Sequence, residues 1–120
     1  MYSILIVDDE PNYLIVMSEL LRDEGFEVFT ASNGREGLQA VKDVDLDLVI
    51  TDVNMPNLDG ISFIRKAREL AKYRFTPILV LTTESQGTKM NEGKEAGATG
   101  WIVKPFSADK LLGIVRKVAE

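Results

Sequence analysis

LDLVITDVNMPNLDG, residues 46–60, decides how this chain is read. Leu48, Val49, Ile50 and Thr51 form a continuous apolar, β-branched run, which reads as a strand buried on both faces. Asp52 stands at its end, and turn residues follow at once. A carboxylate at the rim of an apolar strand is costly to keep charged unless something pairs with it. The stretch therefore asks what sheet holds such a strand, and what holds Asp52 there.

The sequence on either side repeats the pattern. SILIV (3–7), EVFTA (27–31), DLVIT (47–51), ILVLT (78–82) and GWIV (100–103) read as five strands. Between them lie helical segments. Residues 11–24 carry Leu14, Met17, Leu20 and Leu21 at helical spacing; Pro11 suits the first turn, Asp9 and Glu10 sit beside its positive end, and Gly25 stops it. Asn33 caps a helix over 34–44, with Leu38, Val41 and Val44 inward. A third spans 60–72, with Ile61, Ile64 and Ala67 on one face and Leu70 or Ala71 continuing it. A weak fourth covers 86–96 and ends at Gly97. Ser107 caps the last, which runs to 119 with Leu111, Leu112, Val115 and Val118 inward.

Five strand–helix repeats predict a parallel sheet covered on both faces. A closed barrel needs eight units and about twice the length. The expectation is one doubly wound α/β domain over residues 1–120, with its site at the carboxyl ends of the strands.

Bulk properties narrow the function. At 45% apolar residues the chain can bury a substantial core, and there is no internal repeat or low-complexity tract. The absence of Cys rules out disulfides and thiol chemistry; the absence of His removes the commonest metal ligand and general base. A net charge of −5 argues against direct nucleic-acid binding by this domain. No apolar run is long enough for a membrane span and no leader pattern opens the chain, so a cytoplasmic location is expected.

The strand ends carry the chemistry. Strand one ends in Asp8 and Asp9, strand three in Asp52, strand four in Thr82 and Thr83, strand five in Lys104 and Pro105. In the known five-strand order 2-1-3-4-5, strands one and three are neighbours at the switch point. Three carboxylates then share one crevice, with a hydroxyl and an ammonium across from them. Like charges this close oppose one another's ionisation, and a hard divalent cation resolves the conflict. An all-oxygen donor set suits Mg²⁺, with Mn²⁺ as the alternative. With cation and Lys104 present the crevice can attract a phosphoryl group, and a carboxylate oxygen can take it as an aspartyl phosphate.

Each residue taken alone has a plainer reading: Asp8 and Asp9 as helix-dipole partners, Asp52 as a turn initiator, Thr82 as a strand residue, Lys104 as a surface charge. Their joint placement at one sheet edge favours a site. The D-x-N opening of DVNMPNLDG is not a calcium loop, because the sixth and twelfth positions are Asn57 and Phe63 rather than Gly and Glu.

Taken together, ILIVDDEP, LVITDVNMPNLDG, ILVLTT and AGATGWIVKPF, at their spacing, resemble the receiver domain of bacterial two-component response regulators over the whole chain, a flavodoxin/CheY-like fold. The resemblance implies that Asp52 accepts a phosphoryl group from a histidine kinase or phosphotransfer protein. It implies that Asp9, Asp52 and the backbone carbonyl of Asn54 hold Mg²⁺, with Asp8 acting mainly through a metal-bound water. Lys104 pairs with the phosphoryl group across a cis peptide to Pro105. Thr82 is the switch hydroxyl and Trp101 the switch aromatic, turning inward, although Trp is bulkier than the usual Tyr or Phe. Asn54 and Glu84 match positions that tune phosphoryl lifetime, in a chemotaxis-like pattern. The downstream protein target is expected on the face of helix four, strand five and helix five.

On this reading the chain is a phosphoacceptor taking part in its own phosphorylation and dephosphorylation, not a turnover enzyme. The segment TTESQGTKMNEGKEAGA has little apolar surface beyond Met90, so the fourth helix and the loop before it are expected to be the most mobile region. The second half resembles chemotaxis-type receivers, the first half receivers fused to transcriptional activators. A single-domain regulator is the preferred expectation, and a receiver belonging to a larger transcription factor the alternative. Two other classes fit poorly. An aspartyl-nucleophile phosphatase needs D-x-D where this chain has VDDE, and a flavodoxin needs a Ser/Thr/Gly-rich phosphate loop where it has DDEPN.

Overall fold

A computed structural model describes residues 2–53, 55, 58–83 and 88–119, with Thr88 and Lys89 described by backbone alone. The elements follow in the order β1 (Ser3–Val7), α1 (Pro11–Asp23), β2 (Glu27–Ala31), α2 (Gly34–Asp43), β3 (Leu48–Asp52), α3 (Gly60–Glu69), β4 (Ile78–Thr82), α4 (Thr88–Ala96), β5 (Gly100–Val103) and α5 (Ala108–Ala119). All strand pairs are parallel, as expected from the alternation, and the sheet order is β2-β1-β3-β4-β5, the known order adopted above for five such strands.

Strand alternation splits the core in two. Ile4, Ile6, Leu48, Ile50, Leu79 and Leu81 face α1 and α5, where Met17, Leu21, Leu111, Leu112 and Val115 meet them. Leu5, Val7, Val49, Ile78 and Val80 face the other way, toward Val41 of α2, Ile61, Phe63, Ile64 and Ala67 of α3, and Ala96 of α4. Because both faces are covered, β1, β3 and β4 are buried at every position, which is why they read as unbroken apolar runs.

The helix ends follow local chemistry. Asn33 accepts from the Glu36 N–H at 2.9 Å, Asp59 from the Ser62 N–H at 2.9 Å, and Ser107 from the Lys110 N–H at 3.1 Å. Pro11 opens α1, and Gly25 and Gly97 leave α1 and α4 at positive φ of 95° and 113°.

Several boundaries differ from the sequence expectation; α1 and α2 each end one residue early, at Asp23 and Asp43. β3 runs one residue later, so Asp52 is its last residue; exposed Asp47 instead accepts from the Ser3 N–H at 2.7 Å. α3 stops at Glu69 rather than 72. Leu70 turns extended (ψ 125°), and a 3₁₀ turn over Ala71–Tyr73 swings Tyr73 into the core, where its hydroxyl donates to the Val44 carbonyl. α4 begins at Thr88; positions 86 and 87, where its start was expected, lie outside the described residues. Among its described side chains, α4 is anchored by buried Ala96 and half-buried Met90, while Gly93 brings its backbone close to the core.

Candidate functional site

Pairing β1 with β3 in register, Val7 opposite Thr51, carries the next residues of each strand to the same edge. Asp8 is fully buried there, Asp52 nearly so, and Asp9 is exposed. Carboxylate oxygens of the three lie within 4.8 Å of one another. β5 ends at the same edge and brings Lys104 across a cis peptide to Pro105. Its N–H donates to the Thr82 carbonyl at 2.7 Å, which ties it to the end of β4.

Lys104 is buried and lies between two of the carboxylates. Its Nζ donates to Asp8 Oδ2 at 2.8 Å and lies 3.5 Å from Asp52 Oδ2. Burial pulls the ammonium's pKa down, but the hydrogen bond to Asp8 and the fields of Asp52 and Asp8 more than reverse this, so the net shift is upward. The other oxygen of Asp8 accepts from the Glu10 N–H at 2.9 Å, fixing the turn into α1. Asp8 thus anchors both the ammonium and the backbone that carries Asp9.

The site opens as a crevice of about 410 Å³ lined by Asp9, Glu10, Tyr13, Asp52, Thr83 and Lys104. Gly60 packs against the backbone that carries Asp52: a Cβ there would lie 2.0 Å from the Asp52 carbonyl oxygen and 2.8 Å from Val53 Cα. Only glycine lets α3 begin this close to the backbone of Asp52, and the Gly60 N–H donates to the Val53 carbonyl at 3.1 Å.

Thr82 is buried at the end of β4, beside the site. With Val80, Met90, Gly93 and Trp101 it lines a cleft too tight to admit water. Trp101, on edge strand β5, is 38% exposed. Asn54 and Glu84 lie outside the described residues.

Tyr13 and Phe106 were not singled out from the sequence. Tyr13 reads as ordinary helix filling, one turn before Met17 and two before Leu21, yet that stripe ends at the crevice. Its ring covers Lys104 Nζ at 4.1 Å and packs on Phe106 with centroids 5.8 Å apart.

The chemical fit to a cation is direct. The cluster offers hard carboxylate oxygens, with no His or Cys anywhere in the chain, and this donor set suits Mg²⁺.

Comparison with known proteins agrees with the fold. The model of the response regulator receiver domain family matches residues 4–116, and the chain belongs to that family. Chemotaxis protein CheY-3 of Vibrio cholerae is 37% identical over 119 residues, covering 98% of this chain and 92% of that protein. Transcriptional regulatory protein PdtaR of Mycobacterium tuberculosis is 40% identical over 110 residues, covering 91% of this chain but 52% of that protein. Among solved structures, the chemotaxis response regulator CheY4 of V. cholerae superposes with a TM-score of 0.95 at 45% identity, covering 98% of each chain. The receiver domain of sensor histidine kinase PA1611 from Pseudomonas aeruginosa, solved with a magnesium ion in its active-site cleft, has a TM-score of 0.91 at 27% identity, covering 99% of this chain and 98% of that one. The chain is a CheY-like receiver domain of two-component signalling. Among the described residues no helix is long and apolar enough to cross a membrane.

Proposed function

We propose that Asp52 is the phosphoacceptor of a Mg²⁺-dependent signalling switch, loaded by a histidine kinase or a phosphotransfer protein. The observation that carries this is the cluster itself: three carboxylates with oxygens within 4.8 Å of one another, and a buried ammonium 2.8 Å from one and 3.5 Å from another. Asp9 and Asp52 would hold the cation, with the Asn54 carbonyl expected from the resemblance as a further ligand, and Asp8 would support them. When bound, the cation offsets the negative charge of the carboxylates and of the incoming phosphoryl oxygens.

The residues supply the rest. A carboxylate oxygen of Asp52 bonds to phosphorus as the P–N bond to the donor imidazole breaks, and the electron pair leaves with nitrogen. An ionised carboxylate needs no base to attack. Lys104 moves its hydrogen bonds toward the phosphoryl oxygens. Thr82 turns its hydroxyl to them, and the change reaches Trp101 through the cleft they share with Met90 and Gly93. That cleft is too tight for water, so an inward turn of Trp101 needs space given up by Thr82, by Met90 or by a shift of α4. The output surface is the face of α4, β5 and α5, where a protein target binds. Asn54 and Glu84 set the lifetime of the phosphoryl group. The domain is consumed and regenerated in its own phosphorylation cycle and does not turn over a substrate.

The CheY-3 match supports the first reading, a chemotaxis-like regulator that acts as a single domain. The PdtaR match carries the second reading, a receiver within a larger transcriptional regulator. The length of the complete reading frame decides between the two.

Intact mass after incubation with acetyl phosphate tests the central claim. One phosphoryl group taken up with Mg²⁺, none with EDTA and none in Asp52→Asn is the expected result. Equal uptake by Asp52→Asn moves the acceptor elsewhere. No uptake, together with no change in Trp101 fluorescence on adding beryllofluoride and Mg²⁺, removes the switch.

A further inference from the structure

The crevice has one wall that the phosphoryl chemistry above does not use. Tyr13, on the first turn of α1, places its ring face 4.1 Å from Lys104 Nζ. The ring is itself held by Phe106, two residues beyond Lys104, at a tilt of 44° and a centroid distance of 5.8 Å. We propose that Tyr13 is the positioning residue for Lys104 in phosphoryl uptake, a role that rests on the phosphoacceptor reading of Asp52.

The reason lies in what Lys104 has to do. Its ammonium is hydrogen-bonded to Asp8 and must exchange toward a group built on Asp52, 3.5 Å away. An ammonium on a four-carbon stem is a rotatable point charge with no geometry of its own. A third carboxylate would hold it but would compete with the phosphoryl oxygens for the same protons. The face of an aromatic ring attracts the cation through its quadrupole and accepts no strong hydrogen bond. Tyr13 therefore keeps the ammonium at the crevice while leaving its protons free to move from Asp8 to the new oxygens. Its packing on Phe106 joins α1 to the turn that carries Lys104, so the ring and the ammonium are placed by the same contact.

Two measurements test this, and the first needs neither metal nor phosphoryl group. In the NMR spectrum, ring-current shifts should move the ε-methylene protons of Lys104 upfield in the wild type and in Tyr13→Phe. They should return to ordinary values in Tyr13→Leu, or in Tyr13→Met should the Leu variant not fold. The second is the rate of uptake from acetyl phosphate with Mg²⁺. Tyr13→Phe should keep it within about twofold, and Tyr13→Leu or Tyr13→Met should lower it roughly three- to tenfold, the size of a partly shielded cation–π contact. In a Lys104→Met background, Tyr13→Leu should cause no further loss. Absence of the upfield shift in the wild type, equal uptake by the Phe and Leu variants, or an undiminished Tyr13→Leu effect without Lys104 would each overturn the proposal. A wild type that shows the shift but takes up no phosphoryl group and no beryllofluoride would instead bring down the phosphoacceptor reading, and the positioning role with it.

Discussion

Lys104 and Asp8 are joined by a 2.8 Å hydrogen bond between fully or almost fully buried groups, while the same ammonium stands 3.5 Å from Asp52. The cation thus rests on the carboxylate that is not proposed to be phosphorylated. It occupies part of the charge-balancing role that a divalent cation takes when bound, and it is poised beside the proposed acceptor. Lys104→Met should therefore separate two effects. Mg²⁺ affinity, measured by calorimetry, should rise by about tenfold as a competing positive charge a few ångströms away is removed. Phosphoryl uptake should fall by about a hundredfold or more, as expected when a donor aimed at developing charge is lost. A parallel fall in both would mean that Lys104 is mainly structural.

The raised pKa of Lys104 makes a statement about pH. A cationic group whose folded value lies above its unfolded value stabilises the fold fully below the unfolded value, near 10.5 for lysine. That contribution is lost as pH rises through the folded value. The gap in thermal midpoint between wild type and Lys104→Met should be constant from pH 7 to about 10 and should close on the alkaline side. A gap that closes near neutrality would contradict the pairing seen here.

Arg68 ties together two segments that have no sequence relation. Its guanidinium donates to the carbonyls of Tyr73 and Thr76 at 2.6 Å each, and to the Gly97 carbonyl through Nη2 at 2.8 Å and Nε at 3.2 Å. The carboxyl end of α4 is thereby pinned to α3. Arg68→Ala should cost about 2–4 kcal/mol in urea unfolding, since several half-buried carbonyls lose a charged donor. Amide exchange at Gly97 and Ala98 should speed up more than at α1. Unchanged exchange at the α4–β5 turn would show that the pin is dispensable.

Two glycines should respond in opposite directions. Gly93, within α4, has room for a methyl: the nearest atoms to a built Cβ are Val80 Cγ2 at 3.6 Å and Ile61 Cδ1 at 3.7 Å. Gly93→Ala should stabilise the domain by up to about 1 kcal/mol, the helix-propensity difference. Gly60→Ala meets the Asp52 carbonyl at 2.0 Å and should destabilise by about 3 kcal/mol or more while displacing Asp52. Denaturant unfolding of the two variants beside wild type checks both signs. If α4 must move for signalling, Gly93→Ala should also reduce the fluorescence response of Trp101 to beryllofluoride.

The sequence by itself determined most of the frame. β1, β3 and β4 announce themselves because a strand covered on both faces must be apolar at every position, and short-range composition records that directly. Asn33 and Ser107 were legible as caps because a cap is a local bond, three residues long. Asp8, Asp9, Asp52, Thr82 and Lys104 each have a plainer reading alone and stood out only together, because the alternation of strands and helices puts the ends that carry them on one edge. The tertiary structure alone decided the rest. Tyr13 is spaced like any core residue of α1, and only the packing of that helix on the turn after β5 puts its ring over an ammonium 91 positions away in the chain. Arg68 reads as one exposed charge in a basic run, and only the folded chain brings the carbonyls of Tyr73, Thr76 and Gly97 to it. The end of α3 at Glu69 follows from the same cause, because Tyr73 and Arg68 find partners in space that no local propensity encodes. Backbone carbonyls are identical at every residue, so a sequence cannot mark which of them a distant side chain will meet.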